Sequence, residues 1–142
     1  MSGETAFWDA VDALREREVR YAREAYGFVV GALSATVQAL PEERRADTAR
    51  RHLSGGELVD GIIGMAREEV GAMAPAVFRE WGVLSSEDIG RIVFQLVECG
   101  QLSARDEDTM ADFRSRTDLL QTLAHVPDFG RRGPGGNPAP PA

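Results

Sequence analysis

Lysine is absent from this chain: all 16 basic side chains are arginine, set against 23 acids for a net charge of −7. A GC-rich coding bias accounts for the arginine preference, and the acidic surplus works against general polyanion binding. Cysteine occurs once, at Cys99, which excludes an intramolecular disulfide or a multi-cysteine metal site within one chain. Histidine occurs twice, at His52 and His125, each without a partner at metal-ligand spacing. No apolar run reaches the roughly 18 residues that a membrane-spanning helix needs. The first residues, MSGETAFWDAV, contain no basic region leading into an apolar stretch, and Ala6 stands where a myristoylation pattern requires Ser or Thr. A P-loop, GxSxG, HExxH and a GxGxxG after a strand are all missing. The expectation is therefore a cytoplasmic protein with no cofactor, no metal and no membrane contact.

What is present is a series of helix signals, densest over residues 52–102. Ser54 with Glu57, and Ser85 with Asp88, fit the capping-box spacing, in which a hydroxyl and an acid three residues later satisfy each other's backbone N–H. Gly82 and Gly100 fall where helices end and the chain needs positive φ. These marks predict helices over 55–70, 73–81 and 86–99. Leu58, Ile62, Met65, Ala66 and Val70 form the inward face of the first; Met73, Val77 and Trp81 form that of the second, with Ala74 and Phe78 beside them. The third is apolar on most sides (Ile89, Ile92, Val93, Phe94, Leu96, Val97, Cys99), so it reads as the buried centre with Phe94 in the core. Ser86, Glu87, Arg91, Gln95 and Glu98 are left as its exposed positions.

Upstream, Phe7, Val11 and Leu14 mark a helix over 5–18, with Trp8 beside the stripe and packed on a neighbour. A second helix over 20–40 carries Ala22, Tyr26, Val29, Val30, Leu33, Val37 and Leu40, ending at Pro41. Gly27 and Gly31 in its interior, and Gly61 and Gly64 further on, imply close helix crossings, since each costs about 1 kcal/mol relative to Ala. Downstream, SARDEDT forms a polar tip between Gln101-Leu102 and MADF (110–113), and Thr117 or Asp118 caps a short helix over 118–125.

The predicted fold is mainly α: an N-terminal helical pair (1–40), an Arg-rich connector (41–53), a winged-helix-like three-helix unit with a short β-hairpin (54–116) and a short helix (117–128). Together these make one helical domain, followed by a disordered Gly/Pro-rich tail (129–142). In a DNA-binding winged helix the third helix meets phosphates. Residues 54–102 instead hold three Arg against eight acids, and the tip adds Asp106, Glu107 and Asp108. That balance favours contact with protein. The tip lacks the spacing and glycine of a calcium loop.

The first functional reading is a non-enzymatic protein-interaction module or small accessory subunit with Tyr21, Arg23 and Trp81 as its partner-binding patch, since these residue types dominate binding hot spots. In that reading Tyr26 is core and Tyr21 partly exposed at the seam between the two halves. One alternative is a nucleic-acid-associated regulator whose connector binds phosphate through Arg44, Arg45, Arg50 and Arg51, although Glu42, Glu43 and Asp47 interleave that charge. Another is an enzyme whose site assembles only in the fold.

The blocks YAREAYGFVVGAL (21–33), HLSGGELVDGI (52–62), VGAMAPAVFREWGV (70–83) and EDIGRIVFQLVECGQL (87–102) resemble the Minf conserved hypothetical family of bacterial proteins, in the family's order and over about residues 19–113. The Arg-rich insert at 41–51 and the tail after 117 depart from its usual shorter form. The family has no established activity, so the resemblance implies a bacterial cytoplasmic setting and carries over no catalytic or binding residues.

Overall fold

The computed structural model describes residues 2–47, 52–103, 110–113 and 118–125. In chain order these form α1 (Ser2–Arg15), α2 (Arg23–Gln38), α3 (Glu42–Ala46), α4 (Gly55–Val70), a 3₁₀ turn (Gly71–Met73), α5 (Ala74–Trp81), α6 (Ser86–Glu98), a second 3₁₀ turn (Met110–Phe113) and α7 (Leu119–Ala124). No strand is present among the described residues.

Local chemistry fixes the helix ends. Ser54 Oγ accepts from the Glu57 N–H at 3.1 Å while Glu57 Oε1 accepts from the Ser54 N–H at 2.9 Å, completing the first capping box. The second forms in the same way between Ser85 and Asp88. Asp118 caps α7 by accepting from the Gln121 N–H. At the C-terminal ends of α5 and α6, Gly82 and Gly100 both sit at φ +83°. Val83 N–H returns to the Phe78 carbonyl and Gln101 N–H to the Leu96 carbonyl, the six-to-one closure of a Schellman turn. Pro75 lies in the first turn of α5, where its missing N–H costs nothing.

α2 is the central strut. It packs along α4 and meets α1, α5 and α6; α7 lies across α4 and α5. One continuous core joins the N-terminal pair to the rest, with Val11, Leu14, Tyr26, Val29, Val59, Ile62, Phe78, Ile89, Ile92 and Leu96 all buried. Small residues allow the close approaches. A Cβ on Gly27 would lie 2.7 Å from the Trp8 indole, so Trp8 packs on α2 as expected, and Gly61 faces Thr36 across the α2–α4 crossing. Gly64, by contrast, has nothing within 4 Å and marks no crossing.

The structure departs from the sequence reading at several points. The first helix stops at Arg15 and the second starts at Arg23, because Arg15 Nε donates to the Tyr21 carbonyl and the Ala22 N–H donates to the Trp81 carbonyl, pinning an extended loop between them. Met73 is 62% exposed, since α5 buries the face bearing Ala74 and Phe78. Phe94 is half-buried at the core's edge, while Ser86 and Asp88, polar and expected outside or only as a cap, are buried. The tip of the expected hairpin falls at 104–109; on its flanks, the N–H groups of Gln101 and Leu102 both return to the Leu96 carbonyl, and Met110–Phe113 is a 3₁₀ turn. That turn lies against α6 and α4: Ser86 Oγ donates to the Phe113 carbonyl, and the Phe113 ring covers Gly90, where a Cβ would come within 2.8 Å. The tip at 104–109, the cap candidate Thr117 and the tail lie outside the described residues.

Candidate functional site

Tyr21, Arg23 and Trp81 all lie at the seam between the N-terminal pair and the α5–α6 corner, but they do not present a common face. Tyr21 is 1% exposed, which corrects the expectation of partial exposure. The reason is the docked loop: Gly82 brings its backbone against the Arg20 carbonyl, which turns the next side chain inward. Tyr21 OH donates to Asp88 Oδ1 at 2.6 Å, and the same oxygen accepts from Arg91 NH1 at 2.7 Å. Asp88 Oδ2 accepts from the Leu84 and Ser85 N–H groups at 2.8 and 3.1 Å. Burial pushes the Asp88 carboxyl upward. The donors from Tyr21, Leu84, Ser85 and Arg91 outweigh it and hold the group below the usual carboxylate range. Burial, aided by the Asp88 charge, pushes the Tyr21 phenol up to about 12. Tyr26 is core, as expected, and donates to Gln95 Oε1 at 2.6 Å; burial raises it too to about 12.

Arg23 pairs with Asp12 at 2.7 Å and lies 4.3 Å from the Trp8 ring centroid, which ties α1 to α2. Trp81 is half-buried against Phe28 and Phe78, with ring centroids 5.3 and 5.4 Å away. All three residues are thus engaged in joining helices.

The connector arginines are similarly engaged. Arg44 makes a two-pronged contact with Glu57 at 2.6 and 2.9 Å, and Arg45 donates to the carbonyls of Gln38 and Leu40 where α2 ends. Arg50 and Arg51 lie outside the described residues.

A different surface is open. A shallow groove of about 420 Å³ runs along the outer side of α6, lined by Arg91, Phe94, Gln95, Val97, Glu98 and Met110. Arg91, Phe94, Gln95 and Glu98 stand at i, i+3, i+4 and i+7, one helical stripe. The opposite side of α6 is anchored by Ile89, Ile92 and Leu96, all fully buried. Phe94 is steadied edge-on by Phe113, at 6.2 Å between centroids. Sequence reasoning placed Arg91, Gln95 and Glu98 outside but counted Phe94 inside, so it did not see the four as one surface; the signal available was the charged pair Arg91 and Glu98 flanking Phe94 two turns apart. The groove offers apolar area with a cation at one end and an acid at the other, an arrangement suited to binding. Among the described residues, no three His, Cys, Asp or Glu side chains gather to hold a metal ion, and no helix is long and apolar enough to cross a membrane.

Comparison with protein-family models, with curated proteins and with solved structures finds no match for the chain.

Proposed function

We propose that this protein is a non-enzymatic protein-interaction module of the Minf conserved hypothetical family, and that it docks through the outer face of α6. In this reading the α4–α5–α6 unit is winged-helix-like, with its third helix turned to protein contact. The observation that carries the proposal is the groove itself: Phe94 and Val97 supply apolar area on a helix whose other side is locked into the core, and Met110 adds to it from the second 3₁₀ turn. Interfaces place aromatic and Met side chains at their centre and charge at the rim, and here Arg91 and Glu98 take the rim positions. Eight acids against three arginines over residues 54–102 disfavour a phosphate backbone as the ligand.

The test is affinity capture from a bacterial lysate with the wild-type chain and with Val97→Glu, a half-buried groove position. Loss of the captured protein, at an unchanged unfolding midpoint, is the expected result. Equal capture by both chains would remove the α6 face as the docking surface, and a shift of duplex DNA at low salt would redirect the reading to nucleic acid.

A further inference from the structure

The α6 stripe has an internal symmetry that identifies its occupant. Arg91 and Glu98 lie seven residues apart, about 10.5 Å along the axis at 1.5 Å per residue, with Phe94 and Gln95 midway between them. If a second α6 is laid antiparallel across the first, with a two-fold axis between positions 94 and 95, Arg91 faces the other copy's Glu98 and Glu98 faces its Arg91. Phe94 then meets Gln95 of the second copy, and the reverse. The stripe is therefore its own complement in charge, one requirement of an isologous dimer contact.

We propose that a second copy of this chain occupies the groove, with the two α6 helices antiparallel. This inference rests on the reading of the α6 face as a docking surface and names its partner. Charge supports the choice. Each chain carries −7, so the overall field pushes two copies apart, and contact needs a place where cations and acids pair across the interface. Arg91 suits that role: its side chain is 42% exposed and NH1 is the nitrogen that holds Asp88, so the guanidinium is fixed in position to bridge that buried carboxylate and a second one. Glu98 is exposed and makes no ion pair among the described residues. Gln95 is held by the Tyr26 hydroxyl, which keeps the centre of the stripe in register. A parallel arrangement is disfavoured because it sets Glu98 against Glu98.

Sedimentation equilibrium on the full chain tests this, with concentrations from about 1 to 500 µM, a range that covers micromolar affinities. The wild type is expected to show a monomer–dimer equilibrium. Glu98→Arg reverses a charge that occurs twice in the two-fold contact and should weaken dimerisation at least about tenfold. Arg91→Glu should do the same, and an equimolar mixture of the two variants should dimerise again, because every pair across the interface becomes Glu opposite Arg. Arg91 also touches Asp88, so unfolding midpoints accompany each measurement; should Arg91→Glu fail to fold, Glu98→Arg alone decides, its position being exposed. A wild-type chain that stays monomeric throughout overturns the proposal, as does a dimer indifferent to Glu98→Arg. Either result leaves the docking reading intact if Val97→Glu still abolishes capture of a host protein, whereas loss of both would reject the α6 face altogether.

Discussion

Ser54–Glu57 and Ser85–Asp88 are the same local device set in different surroundings. Each is a serine N-cap with an acid three residues on, and each acid is bonded to an arginine: Glu57 to Arg44 at 2.6 Å, Asp88 to Arg91 at 2.7 Å. The Glu57 side chain is 38% exposed and that of Asp88 only 6%. At Ser54 water competes for every bond, so the cap starts a helix and does little else. At Ser85 the carboxylate has been taken out of water, and it is compensated by donors from three separate parts of the chain: the loop before α2, the turn after α5 and the body of α6. A capping residue has become the junction of the two halves, and burial alone makes the difference.

The largest expected effect comes from removing that junction. Asp88→Asn keeps the shape but loses the charge and one acceptor, which strands the buried Tyr21 hydroxyl or a backbone N–H; the cost should be about 2–4 kcal/mol in urea denaturation. A loss below about 1 kcal/mol would mean that the buried box is no more valuable than the exposed one, and the comparison would collapse. Tyr21→Phe is the intermediate case, since it deletes a single donor and should cost about 1–2 kcal/mol.

The same network has a pH signature in base. The two tyrosines of the chain are Tyr21 and Tyr26, each with a folded pKa of about 12 against an ordinary value near 10. A raised acid pKa means that the neutral phenol is favoured in the fold. Their contribution to stability is whole below pH 10 and drains away between about 10 and 12. Absorbance of tyrosinate should therefore appear late in the folded protein and near pH 10 in urea; coincident curves would show that neither hydroxyl is held.

The exposed box should give the smallest effect. Hydrogen bonding from Arg44 holds Glu57 down at about 2, a depressed carboxylate whose contribution is present above about 4.5 and fades as pH falls toward 2. Solvent screening discounts that contribution heavily. Glu57→Gln, which preserves the cap, should lower Tm by no more than about 2 °C at neutral pH. A drop like that of Asp88→Asn would show that the Arg44–Glu57 pair braces the connector far more than its exposure suggests.

Most of the helical frame was legible because its signals are short-range. A capping box spans three residues and a Schellman glycine closes one turn, so Ser54, Ser85, Gly82 and Gly100 could be assigned without any tertiary information. The fate of Tyr21 was not legible, because its partner lies 67 residues further on and a helical stripe reports only on neighbours within two turns. Phe94 failed for a related reason. On a helix apolar on most sides, residue type does not show which side meets the core, and only the position of Phe113 over Gly90 leaves Phe94 at the edge. Arg44 and Arg45 looked like a free basic patch because the carbonyls and carboxylate that engage them belong to the ends of α2 and α4, whose closeness the sequence does not display.

The span from Tyr21 to Asp88 has a consequence for time as well as for stability. The two capping boxes need only local chain and can form as their helices do, on the sub-microsecond to microsecond scale. Closing 67 residues costs about 4 kcal/mol of chain entropy before the hydroxyl reaches its carboxylate, so that bond is expected to form later than the local caps. Bonds made after the folding barrier must be broken on the way back over it, and their strength appears in the unfolding rate. The Tyr21–Asp88 bond is then expected to act as a latch on the finished protein: Tyr21→Phe should speed unfolding several-fold and leave the refolding rate nearly unchanged.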